Sequence, residues 1–304
     1  MSAPLSPPAR MRDRNGLYSM VAVDQRESLR EMLARSGELP VTDERMSQFK
    51  VEVARALSPF ASALLVDIDF AMQPILDADA LAQGCDLIVA LDSIHYDATG
   101  VAQSTKLRRD LLGVSWDTRV AGMKYLLLWT PGEWLGCDRA EVQEFIDEAA
   151  RAGVDSVLEV IVREPDGSAP APERQAQWVL AAARDTAPMG ATLYKTEVPF
   201  RNLASADEVT RVSEQITEAV DSPWVVLSGG VAVEQFPEAV ERTARGGAEG
   251  FLAGRAVWSN ATSLTGNAVT DYLNTHSVDT MVGLREALRL GAARSAGVTA
   301  ATDA

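Results

Sequence analysis

One lysine in an otherwise apolar and aromatic run is the side chain best placed to do covalent chemistry. Thr192-Leu193-Tyr194-Lys195-Thr196-Glu197-Val198-Pro199 reads as a short buried strand, closed by Pro199. Burial disfavours the charged form of an amine, and neighbouring cations do the same; the neutral amine is then a nucleophile. Such an amine attacks a ketone or an aldehyde and forms a Schiff base. The plainer reading of Lys195 is a side chain that snorkels to solvent or pairs with Glu197.

A second polar residue sits in an equally apolar setting. Glu159, within Val157-Leu158-Glu159-Val160-Ile161-Val162, must be paired or protonated if it is buried. Lys195, one predicted strand later, is an economical partner. Other polar residues close predicted strands: Asp24-Gln25-Arg26 the first, Asp67 the second, Ser228-Gly229-Gly230 the seventh and Gly254-Arg255 the eighth. Glycine amides approach phosphate oxygens closely, and Arg255 adds a permanent forked charge, so the last two groups suit a phosphate. Each has a plainer role: Asp24, Asp67 and Asp69 as helix caps, the glycines as tight turns, Arg255 as a surface residue. Lys124 opens its predicted strand and so falls at the far end from the others.

These residues need a scaffold that gathers strand ends. Eight short apolar runs alternate with amphipathic segments. The predicted strands are Ser19–Asp24, Ala63–Ile68, Asp86–Leu91, Lys124–Trp129, Ser156–Val162, Thr192–Val198, Trp224–Ser228 and Gly250–Gly254. Apolar residues at i, i+3, i+4 and i+7 predict helices over Asp43–Leu57, Arg139–Ala152, Pro172–Thr186, Ser205–Val220, Val233–Arg245 and Asp279–Leu290. Eight such units over roughly 250 residues predict an α/β fold, a (β/α)8 TIM barrel with its active site at the C-terminal strand ends. A doubly wound open sheet is the runner-up, but no Gly-x-Gly-x-x-Gly follows the first strand. The expected division is a poorly ordered segment over 1–15, a barrel domain over 16–291 and a flexible tail over 292–304.

Composition narrows the partners. A net charge of −15 and a pI near 4.6 argue against nucleic acid. No apolar run approaches the ~18–20 residues of a membrane span, and the N-terminus lacks the apolar core of a signal peptide. Two distant cysteines, Cys85 and Cys137, form no disulfide or metal pattern and fit a cytoplasmic protein. Only two histidines occur, His95 and His276, both expected in surface loops, and no zinc motif is present, so zinc chemistry and a cofactor are not expected; a carboxylate-bound magnesium stays open, although nothing points to it. Apolar faces on outer helices suggest a homo-oligomer.

Several motifs carry a resemblance. Ala22-Val23-Asp24-Gln25-Arg26-Glu27, the run from Lys50 through Ala56-Leu57-Ser58-Pro59-Phe60-Ala61-Ser62-Ala63, Leu193-Tyr194-Lys195-Thr196-Glu197, and Gly250-Phe251-Leu252-Ala253-Gly254-Arg255-Ala256-Val257-Trp258 resemble bacterial class I aldolases of the tagatose-1,6-bisphosphate aldolase type. The likeness spans about Gly16 to Leu290 and is nearest to the sulfofructosephosphate aldolases. It implies a metal-free enzyme with Lys195 as the Schiff-base residue. It also implies active-site places for Asp24, Gln25, Lys124, Glu159, Ser228 and Arg255. Val66-Asp67-Ile68-Asp69-Phe70 and Val162-Arg163-Glu164-Pro165 depart from the sulfosugar enzymes' forms. The implied reaction is retro-aldol cleavage of a ketose 1-phosphate. The substrate is 6-deoxy-6-sulfofructose 1-phosphate, giving dihydroxyacetone phosphate and 3-sulfolactaldehyde, or tagatose or fructose 1,6-bisphosphate, giving glyceraldehyde 3-phosphate. In that reading Lys195, Glu159, Asp24 and Lys124 are catalytic. Gln25, Arg26, Asp67, Ser228, Gly229, Gly230, Gly254 and Arg255 bind the sugar phosphate. Two other readings stay open: an isomerase or lyase using Glu159 and Asp24 without a covalent adduct, and a non-catalytic sugar-phosphate-binding barrel.

Overall fold

Strict alternation along short parallel strands decides which side chains point inward. Met20, Leu65, Ile88, Val157, Leu193, Val225 and Leu252 form an inner cluster. Their neighbours Val21, Leu64, Val89, Leu158, Tyr194, Val226 and Phe251 join the outer core against the helices. Both faces are therefore apolar, as a parallel sheet covered by helices requires. The computed structural model describes residues 10–37, 39–97, 101–295 and 297.

The strands are β1 (Tyr18–Ala22), β2 (Ala63–Val66), β3 (Asp86–Ala90), β4 (Val120–Thr130), β5 (Asp155–Val162), β6 (Leu193–Glu197), β7 (Trp224–Leu227) and β8 (Gly250–Ala253). Each pairs in parallel with its neighbours, β1 pairs with β8, and β3 pairs with β4, so the sheet closes on itself. The helices are α1 (Glu27–Ala34), α2 (Asp43–Leu57), α3 (Met72–Asp77), α4 (Arg139–Ala152), α5 (Pro172–Thr186), α6 (Ala206–Ala219), α7 (Phe236–Arg245), α8 (Arg255–Trp258), α9 (Asn267–Tyr272) and α10 (Val278–Ser295). Local chemistry sets their ends. Asp138 caps α4, which stops at left-handed Gly153. Ser205 and Glu208 form a reciprocal capping box on α6.

Three features depart from the sequence expectation. First, β4 starts at Val120, four residues before Lys124, and carries a bulge: Leu87 faces Val120 while Ile88 faces Gly122. The extra residue resets the alternation, so Gly122 and Lys124 both face inward. Lys124 is thus mid-strand, not at the wrong end of the barrel. Second, the chain after β3 turns into an antiparallel hairpin, Asp92–Tyr96 with Ala102–Leu107. His95 belongs to that hairpin, not to a loop. Third, part of the expected poorly ordered N-terminal segment is described, and it packs. Arg10 reaches Asp86 at 2.5 Å, and Met11 N donates to Asp86 Oδ2 at 2.9 Å. Met11 is buried against the inner cluster at the N-terminal strand ends. Residues 1–9 lie outside the described residues, as does most of 292–304, where α10 itself continues to Ser295.

Candidate active site

The chain has four lysines, and three of them, Lys50, Lys124 and Lys195, are buried. Two of the three converge inside the barrel. Parallel pairing puts Glu159 of β5 directly beside Lys195 of β6, and Lys195 Nζ stands 2.9 Å from Glu159 Oε2. Lys124, rising from β4, reaches Asp24 Oδ2 and Asp92 Oδ2, each at 2.9 Å, and Glu159 Oε2 at 3.4 Å. Glu159 therefore bridges the two ammonium groups. Burial works against a charged Lys124, but Asp24, Asp92 and Glu159 overcome it and hold its pKa well above the ordinary lysine range. Burial likewise opposes an ionised Asp24. Lys124, Lys195 and Arg26 outweigh that opposition and hold its carboxyl down at about 2.

The end of β1 is clamped so that Asp24 points at this cluster. Lys50, on the inner face of α2, donates to the carbonyls of Val23 at 2.9 Å and Gln25 at 2.7 Å, on either side of Asp24. Its third partner is Asp67, and both side chains are fully buried. Trp258 Nε1 donates to Ala22 O at 2.8 Å. Asp24 does not cap α1, whose first turn has no side-chain cap. Asp67 does not join the central cluster. One oxygen pairs with Lys50 and the other accepts from Phe70 N at 2.7 Å, so it braces the scaffold.

The loops after β7 and β8 leave little room for side chains. Gly229 and Gly230 have φ of +33° and +91°, and a Cβ on Gly229 would stand 3.0 Å from Glu197 Cγ, so only glycine fits there. A Cβ on Gly254 would come within 3.2 Å of Ala22 O and Gln25 Nε2. Arg255 is exposed at the start of α8. Ser228 O accepts from Val231 N at 2.7 Å and closes the β7 turn. Gln25 is half-buried beside Gly254 with its Oε1 unpaired, and Arg26 donates to Asp92 O at 2.7 Å.

Glu197 is not the partner of Lys195. It accepts from Val162 N at 2.9 Å and lies 3.5 Å from Arg163 Nη1. Burial pushes its carboxyl up against the pull of Arg163 and Arg201. Sequence reasoning missed Asp92, although it immediately follows the apolar run of β3 and the strand-end rule points to it. It also missed the clamp by Lys50, whose target is backbone and leaves no motif. Tyr96 of the hairpin was overlooked as well. Burial, Asp92 and Asp24 push its phenol up. Among the described residues no group of three or more His, Cys, Asp or Glu is placed to hold a metal ion. No described helix is long and apolar enough to cross a membrane.

A family model described as DeoC/LacD family aldolase matches residues 18–260, from the first residue of β1 to just beyond α8. The chain belongs to that family. This aldolase is 26% identical over 279 residues to a tagatose 1,6-diphosphate aldolase of Streptococcus agalactiae, covering 83% of each chain. It is 26% identical over 275 residues to one of Enterococcus faecalis, covering 82% of each. Its fold matches a fructose-bisphosphate aldolase of Slackia heliotrinireducens, with a TM-score of 0.60, 17% identity and coverage of 96% of this chain and 90% of that one. It also matches an archaeal fructose-1,6-bisphosphate aldolase whose catalytic lysine is covalently bound to a carbinolamine intermediate. There the TM-score is 0.53 and the identity 13%, with 89% and 96% covered. The expectations of a TIM barrel and of a lyase are met.

Proposed function

We propose that this aldolase works through a Schiff base on Lys195 and cleaves a ketose 1-phosphate. One observation carries the reading. Among the described residues Lys50 and Lys124 each have three acceptors, whereas Lys195 has one, Glu159 at 2.9 Å. Lys195 passes a proton to Glu159 and its free amine adds to the C2 carbonyl. Glu159 returns the proton to the carbinolamine oxygen, water leaves, and an iminium remains. Glu159, a free base again, takes the C4 hydroxyl proton, the C3–C4 bond breaks, and its electron pair passes into the iminium to give an enamine. The aldehyde departs. Protonation at C3 and hydrolysis then release dihydroxyacetone phosphate and restore the amine. Lys124 supplies a fixed positive charge for substrate oxygens, and Asp24 orients hydroxyls beside it. Gln25, Arg26, Ser228, Gly229, Gly230, Gly254 and Arg255 line the sugar-phosphate path.

For the distal end, the motif likeness to the sulfosugar enzymes favours a sulfonate, with 3-sulfolactaldehyde as the second product. A second phosphate is the alternative, supported by the names of the streptococcal and enterococcal relatives. The mechanistic test is borohydride reduction in the presence of dihydroxyacetone phosphate, followed by peptide mass spectrometry. The expected result is one adduct, on the peptide containing Lys195. A folded protein that binds the ketone yet traps no adduct would refute the imine. Cleavage rates of 6-deoxy-6-sulfofructose 1-phosphate and tagatose 1,6-bisphosphate, compared as kcat/KM, then decide the distal group.

A further inference from the structure

We propose that Arg201, just beyond β6, is a second cationic ligand of the phosphate held by the β7 and β8 loops; this rests on the ketose 1-phosphate reading above. The backbone there is unusual. Phe200, Arg201 and Asn202 have φ of 57°, 47° and 64°, three successive non-glycine residues in the left-handed region. That conformation is disfavoured for L-residues, and runs of it persist only when the surroundings hold them, characteristically at ligand sites. Here Asn202 is buried, and its side-chain oxygen accepts from Arg242 Nη1 at 2.9 Å. The turn follows Lys195 by only a few residues, so it sits at the mouth of the barrel.

The turn carries Arg201 back across the loop of the next strand. Arg201 Cδ lies 3.2 Å from the point a Cβ on Gly230 would occupy, and Nη2 donates to Pro170 O at 2.7 Å. Arg201 follows β6, Gly229-Gly230 follows β7 and Arg255 follows β8, so two arginines on flanking strands bracket the glycine turn. Charge points the same way. Arg201 is half-buried, yet among the described residues no carboxylate lies within ion-pairing distance of it. The adjacent acid, Glu197, already accepts from Val162 N and faces Arg163. Two guanidinium groups against one buried carboxylate leave a surplus positive charge next to glycine amides. With one contact to Pro170 accounted for, the planar guanidinium keeps donors for an oxyanion.

The test compares a ketone with and without phosphate. In wild type and in Arg201→Met and Arg201→Lys, the borohydride-trapped Lys195 adduct is titrated with dihydroxyacetone phosphate and, separately, with dihydroxyacetone. Arg201→Met should raise the half-saturating concentration of the phosphorylated ketone about tenfold, one lost charged contact. Trapping with dihydroxyacetone should stay within about twofold, and Arg201→Lys should recover part of the loss. Equal loss with both ketones would mean that the turn only holds β6, and no loss with either would remove Arg201 from the site. Both results overturn the proposal. Calorimetric titration of dihydroxyacetone phosphate into Lys195→Met, with and without Arg201→Met, reads phosphate affinity without an imine. The double variant should bind about tenfold more weakly, and equal affinity refutes the role even if the Schiff-base reading fails on its own terms.

Discussion

Lys50 and Lys195 are both buried and both face a carboxylate, and they differ in how many acceptors surround the ammonium. Lys50 donates to two carbonyls and pairs with Asp67, so all three of its hydrogens are engaged. Among the described residues Lys195 pairs with Glu159 alone. Burial pulls the pKa of Lys50 down against the opposing charge of Asp67, but each of its hydrogens holds an acceptor, so it serves as a bracket. A lysine with one acid within ion-pairing distance keeps a donor and a base in one pair and can give the proton away. Lys124 sides with Lys50, since three carboxylates fix its charge. Burial beside an acid is therefore a weak sign of reactivity, and the count of acceptors separates the two regions.

The sharpest way to break this comparison is Lys195→Met. Turnover should fall at least about 10³-fold, because the covalent route is lost. The thermal midpoint should hold, since Glu159 keeps Lys124 at 3.4 Å; a steady-state assay beside a melting curve checks both. Lys50→Met should do the opposite. It strands a buried Asp67 and costs about 3–5 kcal/mol of stability by urea unfolding, while the folded fraction still traps an adduct. Lys50→Met with Asp67→Leu should recover part of that loss.

A third test uses acid. Asp24 is depressed from 3.8 to about 2, so its stabilising share is present above pH ~4 and is lost as the pH falls through about 2. The stability gap between wild type and Asp24→Asn should shrink by about 2 kcal/mol between pH 6 and pH 2, read from denaturation at each pH. The smallest change is Trp258→Phe, which removes the bond to Ala22 O. It should cost about 1 kcal/mol and lower kcat modestly by loosening the strand that aims Asp24.

The barrel was legible because each of its eight strands leaves an apolar run with residues of both parities buried. The Glu159–Lys195 pair was legible for the same reason, since a charge in such a run stands out. Lys124 was placed at the wrong end because the predicted strand began at it, whereas β4 begins four residues earlier, and Gly122 and the bulge beside it interrupt the apolar pattern that would have shown this. The hairpin from Asp92 to Leu107 is polar and half-exposed, so it carries no core-facing pattern. Asp67 looked like a ligand because it ends a strand; only the position of Lys50 on α2 reveals that it braces the scaffold. Contacts between elements distant in sequence are set by packing, which no local pattern encodes.

The seal at the other end of the barrel governs traffic. Met11 fills the interior at the N-terminal strand ends, and its sulfur lies 3.0 Å from where a Cβ on Gly122 would be. Among the described residues that end of the barrel is packed, so Lys195 is approached from the C-terminal strand ends. Under the proposed chemistry the aldehyde fragment, not bonded to the protein, leaves first. Water reaches the imine on Lys195 along the vacated path. The order of release follows from that covalent bond, and the packed floor, a methionine far from any bond that breaks, makes both products share one path.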